Sequence, residues 1–596
     1  MSTLANLVAA FVDELFVLQP LNATGIGDHR YDDRWPDMSE TGRLARLAAW
    51  DRWTAVFAGL DAAALTADER FDRDLVLGEL AAMRFAEAEL REEAWDALAW
   101  VYLLGYGLHS LLARDFAPLA VRLASFAGRL EGIPTVIAQA QQMLGSHPTR
   151  PVSQLHAQIA GARIGGIAGL VAEGVEAAEA AAGSDPAGRD PAGGDPAVAA
   201  LLPRLRAAAA AATTVLSGIG EHLRTQVAVQ AQGSPLLGHE LFAAKLRHTL
   251  GDPAVTPEMI LERAEAEFAR VRAEMVRLAR GAWSEYRPGE PEPADEGAVV
   301  RGVLDAIALR HPGPDGLVDY CRDELARIEA FCREHSVITL TDEPLEIAWT
   351  PEFMRSFAGA MLESPGPLDV GQKAFFSITP AREGWGPDDI DSWLREMNDE
   401  QLRLLTIHEA VPGHYLQGVY NNRSASLARR VFFSGLFAEG WAVYVTQVML
   451  DRGYGDGSVA LWLSHWKYYL RAVVNAILDV RIHTRGMTSE EAIALMVDGG
   501  FQERSEAVAK DERARLSATQ LSTYFLGSAG FWDIEDEARR RAADAAGAGR
   551  DAVPSPRVVG GYPRTPGFDE RAHLEAVISH GSPPVPLLRR IILGEG

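Results

Sequence analysis

The sequence predicts a mainly α-helical protein with one small β-sheet. Three observations predict it. Apolar residues recur at intervals of three and four through LVAAFVDELF and FDRDLVLGELAAMRFAEAEL, the period of an amphipathic helix. Gly and Pro, which break helices, gather in a few short stretches between such segments. Runs of β-branched and aromatic residues bounded by Pro and Gly fall within residues 338–380.

Taken in order, residues 1–140 read as helices interrupted by the loop LQPLNATGIGDHRYDDRWPD. Residues 150–232 read as one or two long helices, and the alanine run at 207–212 is a strong helix former. The stretch GSDPAGRDPAGGDPA (183–197) is a low-complexity insertion with nothing apolar to bury, expected as a flexible surface loop. In LLGHELFAAKLRHTL, His239 and Glu240 imitate the start of a zinc helix, but no second His follows one turn later, so the pair is read as a decoy. Thr256 is placed to cap the long helix TPEMILERAEAEFARVRAEMVRLARGAW, with Pro257 at its first position. RPGEPEPADEG (287–297) reads as a linker. VITLTDEPLEIAWTP and QKAFFSITP read as strands of a small sheet within 338–380. Thr488 and Glu491 form a capping box, and a last helix starts at Phe568. The expected division is an N-terminal helical lobe (1–235) and a C-terminal lobe (236–596) joined as one compact unit.

The balance of 82 acidic against 57 basic residues, a net charge of −25, excludes the basic surface that nucleic-acid binding needs. The N-terminus lacks the basic start of a secretory signal, and no uncharged apolar run of spanning length is read from the sequence, so no membrane partner is expected. Cys321 and Cys332 fall on one helical stretch roughly 16 Å apart, beyond disulfide reach. Reduced thiols suit a cytoplasmic protein, which is the expected location.

The chemistry concentrates in LLTIHEAVPGHYLQ (404–417), where His408, Glu409 and His414 interrupt an apolar segment. Burying such groups costs free energy unless a partner compensates. A divalent metal uses two imidazoles and a neighbouring carboxylate together. The nearest mechanistic pattern, H-E-x-x-H, sets its two His one turn apart. Here the spacing is i, i+6, which on a regular helix leaves the rings roughly 120° apart. The insertion carries Pro412, whose ring clashes with the carbonyl of His408, followed by the permissive Gly413. A break at 411–413 is therefore expected, and it could return His414 to the ion; the alternative is a helix end with one capping and one packed His. Further on, Glu439 stands alone in VFFSGLFAEGWAVYVTQVML. It is either the third metal ligand or the partner of an Arg such as Arg471.

In SHWKYYLRAVVNAILDVRIHTRGMTSEEA, Asp479 and His483 lie one turn apart on one helix face. His483 could donate to an oxyanion, with Asp479 orienting its ring or supporting the metal ligands; a plain ion pair is the alternative. AFFSITP (374–380) is the candidate sheet edge for an extended substrate, with Phe376 and Ser377 in contact with it, or else a structural hairpin.

HEAVPGHYLQ (408–417), EGWAVY (439–444) and the segment from Arg471 to Gly486 resemble the bacterial family known as domain of unknown function 885. The likeness extends over most of the chain, including GDHRYDDRWPD (27–37) and HLEAVISHGSPPVPLLRR (573–590). That family resembles gluzincin-type zinc peptidases of the thermostable carboxypeptidase kind. The resemblance implies a large two-lobed, metallopeptidase-like helical fold with the sheet beside an active-site cleft. It puts His29, Arg30 and Asp33 near that cleft, although loop hydrogen bonds holding the first helix explain them equally well. It also carries a Tyr at position 524, where a phenol suits an oxyanion donor and a packed core Tyr is the alternative.

The resulting expectation is a zinc peptidase acting on short peptides. One zinc ion per chain would be held by His408, His414 and Glu439, with Glu409 as general base, His483 and Tyr524 as oxyanion donors, and Arg471 on a substrate carboxylate. Two alternatives stand beside it: a metal-dependent hydrolase of non-peptide amides or esters, and a non-catalytic protein with a buried polar network.

Overall fold

A computed structural model describes residues 3–183, 194–350, 355, 359–382, 384–553 and 565–595. The chain is mainly α-helical with a three-stranded sheet, the class its periodicity predicts. Most of the insertion at 183–197 and of the Pro-rich stretch after residue 553 lies outside the described residues. The caps fall where the sequence sets them: Thr256 receives the N–H of Met259, and Thr488 and Glu491 close a reciprocal box. The chain divides into two units, the first comprising Met1–Leu65, Val76–Pro235 and Pro365–Gln372, the second the remainder.

The first unit is built on four long helices, Ala97–Leu112, Leu119–Met143, Gln154–Ala181 and Pro196–His222, which pack together and bury apolar side chains such as Leu104, Phe126, Leu130 and Leu205. By length and composition alone the continuous helical run Pro196–Gln230 is long and apolar enough to cross a membrane, which reading the sequence for uncharged runs passed over. The GDHRYDDRWPD loop is pinned by its own ion pairs. His29 lies between Asp32 (2.9 Å) and Asp369 (3.1 Å), and Arg30 reaches back to Asp13 on the first helix at 2.7 Å. Loop hydrogen bonds, the second of the two readings of this segment, account for His29 and Arg30.

The second unit holds the sheet: β1 (Leu345–Trp349), β2 (Ala360–Glu363) and β3 (Ala374–Ile378), in the order β1-β3-β2. β3 runs parallel to β1, with Ile347 opposite Phe376, and antiparallel to β2, with Leu362 opposite Phe376. This corrects the expectation for AFFSITP. The strand is central, its main-chain groups are taken up on both sides, and Phe376 and Ser377 are buried, so neither contacts a substrate. Phe376 packs with Ile347, Ile378, Leu402 and Ala410, which seats the sheet against the helix Asp399–Glu409. β2 was missed because AMLE has none of the β-branched residues that mark strands. Against the helix Asp399–Glu409 packs Gly435–Asp451, buried along nearly its whole length, as an all-round apolar helix must be.

Candidate metal centre

The helix Asp399–Glu409 stops where the sequence demands it. Ala410 leaves helical geometry (φ −100°, ψ −97°), the Val411–Pro412 peptide is cis, and a new helix, His414–Asn422, starts after Gly413. The chain folds back so tightly that a Cβ on Gly413 would lie 1.9 Å from the carbonyl oxygen of His408, so only glycine fits. Gly413 N–H donates to Ile407 and Leu416 N–H to Ala410, and the indole of Trp441 donates to the Pro412 carbonyl at 2.9 Å. The break swings the His414 ring to within 4.7 Å of the His408 ring, centroid to centroid, at 81°.

Glu439 completes the cluster from the Gly435–Asp451 helix. Its Oε2 lies 3.9 Å from His408 Nε2 and 3.7 Å from His414 Nε2. Two ligands about 2.0–2.2 Å from one tetrahedral zinc sit roughly 3.3–3.5 Å from each other, so this spacing fits an ion with small adjustment. The Ala442 backbone carbonyl accepts from the His408 ring, which helps to hold the ring in place. Burial, with His414 alongside, drives the His408 pKa down to about 3, so its imidazole is neutral and has a lone pair to give. Burial also acts against the Glu439 charge, but His414 and His408 outweigh it and hold the carboxylate ionised. For His414, burial is likewise outweighed, and Glu439 raises its pKa. A neutral His408, a His414 that gives up its proton on binding and an ionised Glu439 make a donor set that fits zinc.

A second carboxylate contends for the ion. Glu409 offers an oxygen within 4.8 Å of the His408 and His414 nitrogens. Glu439 is the closer to both rings, and it is held ionised. Glu409 behaves differently: burial pushes its pKa up to about 7, against the pull of His414, and it faces the Leu362 backbone N–H of β2. A carboxyl poised near neutrality beside the cluster suits a proton carrier better than a ligand.

Two phenols border the cluster. Tyr524, on the helix Ser522–Ala545, hydrogen-bonds toward Glu439 and accepts from Gln520 at 3.3 Å. Tyr468 has its hydroxyl 3.4 Å from His408 Nε2. Sequence reasoning missed Tyr468, because its neighbour Tyr469 looks the same in the sequence. Tyr469 instead turns to Glu267, at 2.9 Å.

Three expected site residues are elsewhere. His483 is buried, its Nε2 donates to Ala514 at 2.9 Å, and its Nδ1 accepts from Leu237. With both nitrogens committed to backbone, it is no oxyanion donor. Asp479 neither orients that ring nor pairs with it. It accepts from the N–H groups of Thr519 and Ser522 and from the Ser522 hydroxyl, holding the start of the Tyr524 helix. Arg471 sits between Glu396 (3.0 Å) and Glu506 (2.5 Å), which balance its charge. It is therefore not the partner of Glu439, and a substrate carboxylate would have to displace an existing ion pair to reach it.

The family model for bacterial proteins of unknown function, DUF885, matches residues 20–592. The chain belongs to this family. A solved structure of a "putative lipoprotein of unknown function" from Shewanella oneidensis is 29% identical, covers 100% of both chains and superimposes with a TM-score of 0.80. A "putative lipoprotein" from Colwellia psychrerythraea shares the fold at 16% identity, covering 99% of this chain and 98% of its own, with a TM-score of 0.76. No curated protein matches. Both descriptions overturn the cytoplasmic assignment. That assignment leaned on two unpaired thiols, and Cys321 and Cys332 are buried on one helix, where they report packing and not compartment.

Proposed function

We propose that this chain is a zinc-dependent peptidase acting on short peptides, of the gluzincin type and carboxypeptidase-like. The observation that carries the reading is the convergence of His408, His414 and Glu439 from three helices, with the Glu439 carboxylate 3.9 and 3.7 Å from the two imidazoles and the rings 4.7 Å apart.

His408, His414 and Glu439 would hold the ion, and zinc in such a set supplies Lewis acidity, lowering the pKa of a coordinated water to about 7. Glu409 takes a proton from the attacking water onto its carboxylate and delivers it to the amide nitrogen as the C–N bond breaks, leaving a carboxylate and an amine. The phenols of Tyr524, which hydrogen-bonds Glu439, and of Tyr468, beside His408, would donate to the oxygen that gains charge in the addition step. β2, whose Leu362 N–H faces Glu409, offers an extended peptide a strand beside the base, in place of the central β3. His414 and Glu439 keep part of their surface open to solvent, while His408 is closed off, which sets the side from which substrate arrives.

The test is a panel of short peptides, esters and non-peptide amides, assayed with zinc-loaded protein and with Glu409→Ala. Cleavage of peptides that disappears in the variant supports the reading. Cleavage confined to esters or non-peptide amides would replace it with the wider hydrolase reading.

A further inference from the structure

We infer that Gly440 and Trp441 are positioning residues that set the metal ligand Glu439 against both its neighbours; the inference rests on the metal-site reading above. On a helix, successive residues point about 100° apart, so Glu439, Gly440 and Trp441 face three directions. Glu439 faces the two imidazoles. Gly440 faces the helix Ser522–Ala545, where its backbone meets that of Gly527. A Cβ on Gly440 would lie 2.4 Å from the Gly527 Cα and C, and one on Gly527 would lie 2.2 Å from the Leu436 carbonyl oxygen. Real Cβ atoms do not approach backbone so closely, so either substitution forces the helices apart. Gly440 adjoins Glu439 and Gly527 lies three residues past Tyr524, so this contact fixes the approach of the phenol to the ligand carboxylate.

Trp441 packs edge-on against Phe531 of the same helix Ser522–Ala545, at 5.9 Å, and its indole N–H reaches the turn at Pro412. Fully buried, it gives its indole N–H to the Pro412 carbonyl, inside the turn that separates His408 from His414. That carbonyl belongs to a turn outside both helices, and the indole holds it from the Glu439 helix. The Glu-Gly-Trp run thus supplies a ligand, the spacing to Tyr524 and the lock on the break that delivers His414.

The experiment measures zinc affinity by competition with a chromophoric chelator, on the full chain, for wild type, Trp441→Phe and Leu246→Ala. Phenylalanine keeps the ring and removes only the donor, while Leu246 is a core residue of another helix and controls for lost stability. Outer groups that orient ligands are worth about ten- to hundredfold in metal affinity, and that loss is expected for Trp441→Phe, with Leu246→Ala within about twofold of wild type. Cobalt-substituted Trp441→Phe should also show a changed visible spectrum. If Trp441→Phe does not fold, Trp441→Met, which also lacks the indole donor, carries the same comparison. Wild-type affinity in the variant, or an equal loss in Leu246→Ala, overturns the inference while leaving the metal site standing. A wild-type chain that binds no zinc overturns both.

Discussion

Asp479 accepts two hydrogen bonds from Ser522, one from its backbone N–H at 3.0 Å and one from its hydroxyl at 2.6 Å. With a third from Thr519, which sits at φ +72°, it organises the turn that starts the Tyr524 helix. Burial pushes its carboxyl up to about 6 against these donors. Asp479→Ala strands three buried donor groups, each costing about 1–3 kcal/mol, so a loss of at least about 3 kcal/mol in urea unfolding is expected. Asp479→Asn keeps one acceptor oxygen and should cost less. A loss below about 1 kcal/mol in the alanine variant would contradict the assignment.

The buried His483 predicts a pH dependence of stability. Burial lowers its pKa to about 4, from 6.5. Its folded pKa is depressed, so the unfolded chain binds the proton first. Its contribution is complete above about pH 6.5 and is lost as pH falls from there toward 4, up to about 3 kcal/mol. Denaturant midpoints at pH 7 and pH 4.5 should fall further apart in wild type than in His483→Gln. Equal drops would show that the ring is protonated in the folded state.

Glu409→Gln should retain metal and lose about two to four powers of ten in turnover, the range of a general base. Because burial pushes the carboxyl up to about 7, wild-type turnover should fall as pH drops below 7. A bound metal's charge would move that limb to lower pH. A variant that loses its metal would instead make Glu409 a ligand.

The sequence disclosed the helical class through its periodicity, and the break at 411–413 through the chemistry of Pro412 and Gly413, both local properties. It also singled out Glu439, because a lone carboxylate in an apolar run demands a partner. Partners of residues distant in sequence were out of reach. Asp479 and His483 lie one turn apart on a helix, which suggested a pair, yet each side chain meets a different segment, Thr519–Ser522 and Ala514. Arg471 looked free until Glu396 and Glu506 arrived from other helices. AFFSITP read as an edge because strand order is invisible in one strand, and a short AMLE strand took the edge instead.

The metal centre itself is tested most directly by elemental mass spectrometry on protein purified without a metal-affinity tag, alongside His414→Ala. The account predicts about one zinc per chain in the wild type, lost in the variant. No metal in either protein after incubation with zinc would contradict it, and His408, His414 and Glu439 would then be a buried polar network and nothing more.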